Sequence, residues 1–492
     1  MAQIQNNHFS RYTETFNFGP MVKPITLVGP NNLQPSTDRL TARLRSRALF
    51  VVCFGFFLVL LDTTALNIAT PALGKEFGHG ISDLQWVVNS YTLVFASLLL
   101  TAGAVGDRTG VKRSYQIGLL FFTLASLFSA LSPSLSLLIT ARAFQGLGAA
   151  TMLPASLALL SHTFPDPTER SHAVTTWANT ASLGFAAGPV LGGVLTTWIG
   201  WRSIFWLNVP VGIIALYLNH LFIEEMKLGR PRRIDWSGQL AIGLCLSALT
   251  YGLIEVGRRG WNDAIVTGAL GCAVLFLCLF VALERRSDHP VLPGFLFSQL
   301  TFAACVGVGF VLNFSMYGIL FMESVYLQSA RGMGPLATGL TIAPFTLFPT
   351  IASRLLGKRN GIPYLQARIS TGLALAATGS AVLVFSALST ALWPTFIGLG
   401  LLGISMGIIM PAMTAGVLIA STPENSGLAS GVLNSTRQIG GTVGVALLGT
   451  IMQTLSPRSG LACALGLTTL VLLFAAELSR RILPGRDGKG LK

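Results

Sequence analysis

Charge is scarce in this chain. Asp, Glu, Lys and Arg together make up 11% of its residues, against about 25% in soluble globular domains. Polar stretches are short after residue 47, and hydrophobic residues reach 52% of the chain. A soluble fold has nowhere to hide that much apolar surface. Paired metal-ligand spacing is also missing. The six cysteines (Cys53, Cys245, Cys272, Cys278, Cys305 and Cys463) all lie inside apolar stretches and none sits in a connecting loop. They read as small packing residues, neither a zinc site nor a disulfide framework. The six histidines (His8, His79, His162, His172, His220 and His289) are scattered and mostly at loops. No nucleophile–base set stands out, so the chain is not expected to be an enzyme. A nucleic-acid partner is rejected despite the formal net charge of +14, because the basic residues sit at the ends of apolar stretches and form no basic domain. Residues 1–47 lack the continuous apolar run of a secretory signal and read as a disordered cytoplasmic tail.

What is present is a succession of fourteen apolar stretches after residue 47. Each is roughly 20 residues, the length a helix needs to cross a hydrocarbon core of ~30 Å. The fold class is therefore an all-α, multi-pass membrane protein. Of the 33 Lys and Arg, six fall in the loops of one side (Lys75, Arg202, Arg258, Arg259, Arg331 and Arg458). Arg142 and Arg437 lie within spans, and all the rest lie on the side of the two termini. That bias places both termini in the cytoplasm and the chain in the cytoplasmic membrane.

Basic connections at Lys227–Arg233 and Arg285–Arg286 set off two spans from the remainder. The expected organisation is a tail (1–47), six spans (48–223), two inserted spans (236–283), six further spans (299–481) and a cytoplasmic tail (482–492). An internal echo supports equivalent halves: Gly106-Asp107-Arg108-Thr109-Gly110 after the second span, and Gly357-Lys358-Arg359-Asn360-Gly361 after the tenth. Repeated halves recur in secondary transporters, so transport is the leading idea.

Four segments carry chemistry. The turn GAVGDRTGVKR at 103–113 places an acid, Asp107, among glycines and basic residues. Such a carboxylate can accept from backbone N–H groups at a helix start or pair with a basic neighbour, which suits a latch between helix bundles. The fourth span holds Arg142, an intramembrane cation costing at least ~2.5 kcal/mol to insert. The first span holds Asp62. Counted along the helices, Asp62 lies about 21 Å and Arg142 about 20 Å from the cytoplasmic face. Equal depth predicts that the two share one hydrated pocket, directly or through water. A nearby cation favours the charged carboxylate and desolvation disfavours it, so a site of alternating exposure could take up and release a proton. In the fifth span Gly184, Gly188 and Gly192 repeat every four residues, with Pro189 and Gly193 between and beyond. That makes one smooth face for close helix approach, with a kink.

These segments resemble the major facilitator superfamily, in particular its 14-helix drug:proton antiporter branch. The resemblance covers nearly all of the chain from about residue 48. Gly103, Asp107, Arg108, Gly110, Lys112 and Arg113 match motif A; Arg142, Gln145, Gly146 and Gly148 match motif B; Gly184, Gly188, Pro189, Gly192 and Gly193 match the antiporter motif C. LDTTALNIATP in the first span is similar to the branch's D-x-T-x-x-N-x-A-x-P signature. Trp201–Pro210 and Asn434–Gly444 are similar to further signatures.

The resemblance implies two six-helix bundles plus two inserted helices, a central cavity, alternating access and efflux driven by inward proton flow. It implies a latch at motif A and a part for Arg142 in proton coupling. The proton is then the coupling ion, with no other cofactor and no metal. The lipid bilayer and a hydrophobic small molecule, an antibiotic or drug, are the expected partners of a monomer.

Asn67, Trp86, Tyr91, Trp177, Tyr317, Glu323, Asn434 and Arg437 are the expected cavity residues, with Phe57, Phe95, Phe185, Phe314 and Phe321 as further candidates for stacking on planar compounds. Arg437 has no obvious acidic partner; an anionic substrate group and backbone carbonyls are both open. Two competing functions remain: dedicated export of one endogenous metabolite, such as a siderophore or natural product, and, from another class, a membrane enzyme or channel.

Overall fold

The computed structural model describes residues 34–225, 234–287, 290–292, 294–356, 362–422 and 425–483, with side chains at all of these except 34–44, 356 and 362–363. The expected tail up to residue 33, the basic connection up to Arg233, the second-half turn at 357–361 and the chain from 484 lie outside those residues. Two compact units, Met1–Leu44 and Arg45–Lys492, divide the chain; the sites below belong to the second.

Secondary structure among the described residues is helical. In order, the helices are α1 (Gln34–Phe77), α2 (Ile81–Thr109), α3 (Val111–Ala130), α4 (Leu135–Thr163), α5 (Pro167–Trp198), α6 (Arg202–Phe222), α7 (Trp236–Arg259), α8 (Ala264–Arg286), the short α9 (Gly294–Phe297), α10 (Leu300–Ser329), α11 (Pro335–Leu356), α12 (Ile362–Leu388), α13 (Trp393–Ile419), α14 (Ser426–Thr454) and α15 (Pro457–Ile482). The helix begins at Gln34, so residues 34–47, expected as disordered tail, are helical. Four of those fourteen residues are Arg and two are Leu, both good helix formers.

Among the described residues twelve helices are long and apolar enough to cross a membrane by length and composition. The expected count was fourteen. The two remaining long helices fall short in apolarity: α3 opens on Lys112-Arg113, and α14 is rich in Gly, Ser and Thr. A short break at Leu131–Ser134 separates α3 from α4, with the Ser134 side chain capping α4.

Local chemistry sets the helix ends. Asp166 caps α5 by accepting from the backbone N–H of Thr168 and Glu169, both at 2.9 Å, and Pro167 follows in the first turn. Asp235 caps α7 and Asp263 caps α8 in the same manner. Gly110 joins α2 to α3 at φ +104°, a conformation that a side chain would strain. On the opposite side, Trp201 Nε1 donates to Glu76 Oε2 at 2.6 Å. Arg202 donates to Glu76 Oε1 at 2.5 Å and to the Ser132 carbonyl at 3.0 Å. One Trp-Arg pair thus ties three turns together.

In the first group of helices α3 packs on α4 and α6, and α2 packs on α4. In the last group α10 packs on α14 and α15, α12 on α13 and α15, and α11 on α13. The groups meet where α5 lies against α11 and α2 against α14. Helices α7 and α8 pair with each other, and α7 rests on both α2 and α14. Along α8 only Val266, Ala273 and Phe280 are buried, which leaves an apolar outer surface suited to lipid.

Candidate functional site

Asp62 on α1 and Arg142 on α4 meet directly. Arg142 Nη1 donates to Asp62 Oδ2 at 2.5 Å, with Asp62 0% and Arg142 2% exposed. Two amides complete the carboxylate: Gln145 Nε2 donates to Oδ1 at 3.0 Å and Asn208 Nδ2 at 2.8 Å. Gln145 also accepts from Arg142 at 2.6 Å and donates to Ser126 Oγ at 3.0 Å. Arg142 Nε donates to the Val87 carbonyl at 3.4 Å, and its guanidinium lies 4.4 Å from the Tyr91 ring centroid. Side chains or carbonyls from α1, α2, α3, α4 and α6 therefore converge on one ion pair.

A hydrated pocket was expected around this pair, but neither residue lines either cavity described below. Amides of Gln145 and Asn208 take the positions where water was expected, and the Tyr91 and Phe205 rings cover the guanidinium. Removing one partner from such a pair leaves an uncompensated buried charge, at a cost of about 3–5 kcal/mol. Asn208 and Ser126 were missed as site residues. Asn208 lies in the Trp201–Pro210 stretch that is similar to a family signature, where it is a lone amide in the apolar run Phe205-Trp206-Leu207-Asn208-Val209.

The glycine face of α5 is a contact face. A Cβ on Gly184 would strike the Phe57 carbonyl, and one on Gly188 would overlap Thr64 Oγ1. One on Gly192 would sit 2.6 Å from the Ala65 carbonyl, and one on Gly193 2.8 Å from that of Pro335. Motif C thus seats α5 against α1 directly beside Asp62 and, at Gly193, against α11. Gly146 and Gly148 play the same role on α4, facing the backbone of Tyr91 and of Gly118–Phe122. At the motif A turn, Arg113 pairs with Glu225 at 3.4 Å and Lys112 donates to the His220 carbonyl at 3.1 Å. Both anchor the turn to the end of α6.

The two helix groups are joined at one end and separated at the other. At the joined end Gln85 Nε2 on α2 donates to the Val445 and Ala446 carbonyls of α14 at 2.6 and 2.8 Å. Ser82 donates to Gln453 at 2.6 Å. From α10, Ser324 and Gln328 donate to the Asn67 and Ile68 carbonyls of α1 at 2.6 and 2.8 Å. At the opposite end, toward the termini, a cavity of about 770 Å³ lies between α2, α4 and α5 and the start of α14, with Asp107, Arg170, Asp235 and Asn434 in its wall. Burial raises the Asp235 carboxyl, but hydrogen bonds from Gly238 N–H and Ser237 outweigh it and hold the group below the usual carboxylate range. A smaller cavity of about 100 Å³ lies deeper, lined by Leu60, Ser182 and Phe185 from one group and by α10, α11, α13 and Arg437 from the other.

Of the expected cavity residues, Tyr317, Asn434 and Arg437 line these spaces, as does Phe185. The others do not. Tyr91 is buried under Arg142. Trp86 packs on Tyr251 of α7, and Trp177 stacks on Phe56 at 4.4 Å. Asn67 turns its amide to the Thr63 carbonyl of its own helix, and Glu323 is 2% exposed in the core. Spans that are apolar on every side carry no rotational signal, so sequence alone could not assign these rings to a face.

Comparison with known proteins agrees with this architecture. Residues 52–445 match the Major Facilitator Superfamily. The multidrug resistance protein Stp of Mycobacterium tuberculosis is 38% identical over 416 residues, 83% of this chain and 76% of that protein. The methylenomycin A resistance protein of Streptomyces coelicolor is 36% identical, covering 82% of this chain and 84% of its own length. The tetracenomycin C resistance and export protein of Streptomyces glaucescens is 32% identical, with 82% and 76% covered. Among solved structures, a peptide transporter POT in complex with sulfate superposes with a TM-score of 0.67 at 16% identity, over 90% of this chain and 95% of that one. The chain is therefore an all-helical, multi-pass membrane transporter belonging to the major facilitator superfamily, among relatives named for multidrug and antibiotic resistance.

Proposed function

We propose that this chain exports a hydrophobic small molecule, an antibiotic or drug, from the cytoplasm in exchange for protons. One observation carries the reading. A lone acid, Asp62, is sealed against Arg142 in the first helix group, directly behind the α1–α5 glycine contact that borders the cavity between the groups. Rocking of the groups would strain that contact, loosen the pair and let Asp62 exchange a proton. The joined end and the separated end then correspond to a state open to the cytoplasm, with Gln85, Ser324 and Gln328 holding the outer side shut.

In this reading all fourteen long helices cross the membrane. Helices α3 and α14 are shielded from lipid along the faces that pack on α4, α6 and α10. The first six and last six spans form the two bundles, with α7 and α8 inserted between them. Both termini are cytoplasmic, the protein works as a monomer, and the motif A turn with Asp107 latches the bundles when the cytoplasmic end closes.

The test uses everted membrane vesicles, without ATP, made from cells with and without the protein. An imposed acid interior should drive accumulation of compounds to which the protein gives resistance, and a protonophore should abolish it. Accumulation that survives the protonophore, or chemical breakdown of the compound, contradicts proton-driven export. Resistance to a single natural product across a wide panel would instead favour a dedicated metabolite exporter, consistent with a relative named for both resistance to and export of tetracenomycin C.

A further inference from the structure

Among the described residues Arg142 and Arg437 lie within spans and Arg331 lies in the turn after α10, and the protein satisfies Arg142 and Arg331. Arg142 has Asp62. Arg331 donates to four carbonyls at the α12–α13 turn, Ser386 and Ser389 at 2.7 Å, Ala391 at 3.1 Å and Thr390 at 3.2 Å. Arg437 is different. It holds only the amide oxygens of Asn434 at 3.2 Å and Asn313 at 3.4 Å. Among the described residues no carboxylate lies within ion-pair distance of it. A guanidinium carries five N–H donors and cannot shed its charge, so most of its donor capacity is unused.

Its surroundings are mostly apolar: Leu60, Phe185, Met316, Leu320, Phe345 and Met406 line the same small cavity, with Ser182, Tyr317 and Thr350 as its other polar groups. Phe185 and Phe345 come from opposite bundles, with ring centroids 6.4 Å apart. An unpaired cation at membrane depth is costly and marks a functional site. Here the missing counter-charge has a place to come from, because Arg437 faces the cavity and Asn434 beside it also lines the larger one.

We propose that Arg437 is a substrate-binding residue that selects amphipathic molecules bearing a carboxylate or similar anionic group. The anion docks on the guanidinium while a flat apolar body lies against Phe185, Phe345 and the methionines. The inference deepens the exporter reading of the same cavity and rests on it. A ligand held this way touches both bundles, so its binding biases their arrangement. Bidentate geometry makes Arg better than Lys for a planar carboxylate.

A matched pair of probes tests it: 2-naphthoate and 2-naphthamide, equal in shape and differing in charge. Binding is measured by calorimetry on protein in lipid nanodiscs, with empty nanodiscs as the blank. Wild type should bind naphthoate at least about tenfold more tightly than naphthamide, the factor one charged hydrogen bond supplies. Arg437→Gln should lose that preference, with a wild-type melting temperature showing that the variant is folded. Arg437→Lys should retain part of it. Equal binding of the two probes by wild type, no binding of naphthoate, or a preference that survives Arg437→Gln overturns the assignment.

Vesicle export of uncharged drugs is the separate arm. Proton-driven export with no naphthoate preference removes the anion site and leaves the exporter standing. An Arg437-dependent preference in a protein that exports nothing does the reverse.

Discussion

Asp62→Asn should yield a folded protein that no longer accumulates drug in acid-loaded everted vesicles, with uptake falling to that of vesicles lacking the protein. Asparagine keeps the shape of the carboxyl but has one acceptor oxygen where the carboxylate has two, so it can keep the bond from Arg142 or those from Gln145 and Asn208, which surround the group at 2.5–3.0 Å, but not all three. What it lacks is the ability to lose and regain a proton. The variant should also be less stable, because Arg142 then sits 2% exposed with no counter-charge. The expected loss is of the order of 3–5 kcal/mol, read as a lowered melting temperature.

The double variant Asp62→Asn, Arg142→Gln separates the two roles. With both charges gone the desolvation penalty goes with them, so stability should recover toward wild type, while proton-driven uptake stays absent. Uptake by either variant at wild-type rates would reduce the pair to a structural contact.

Gly188→Leu should destroy function through packing. A single Cβ at Gly188 already overlaps Thr64 Oγ1 and comes within 2.8 Å of Thr64 Cβ and 3.0 Å of the Ala65 nitrogen. Thr64 is β-branched and stiff, and its hydroxyl is tied to the Leu60 and Leu61 carbonyls at 3.0 and 3.3 Å. It cannot swing away. Overpacking costs about 1–3 kcal/mol where a core can yield; here the obstacle is a neighbouring helix, so a larger loss is expected. Little folded protein, or folded protein without transport, should result. Gly307→Leu on α10 is the control, since nothing lies within 4 Å of a Cβ there. Equal expression and transport of the two variants would show that the α1–α5 contact is not needed.

Much of this site was legible in the sequence because charge inside a membrane span is rare and depth follows from residue count. Asp62 and Arg142 could be matched by depth alone, and the four-residue glycine spacing of α5 announced a close contact. The uncharged polar partners were not legible. Asn208 reaches Asp62 across 146 residues of chain and Gln85 reaches Val445 across 360; nothing in an amide's local sequence says which distant helix it faces. The cavity wall was read only in part for a related reason. Trp86, Tyr91 and Trp177 are as plausible on composition as Phe185 and Tyr317, and only helix rotation, set by packing against neighbours, decides between them. The helical start at Gln34 was hidden by its polar composition.

Substrate-triggered proton release from purified protein is the decisive measurement. With the protein first equilibrated in acid so that Asp62 carries a proton, and then placed in weakly buffered detergent solution with a pH indicator, adding an exported compound should acidify the medium for wild type and leave it unchanged for Asp62→Asn. Equal acidification by both proteins would mean that the proton comes from elsewhere and that Asp62 is not the coupling group.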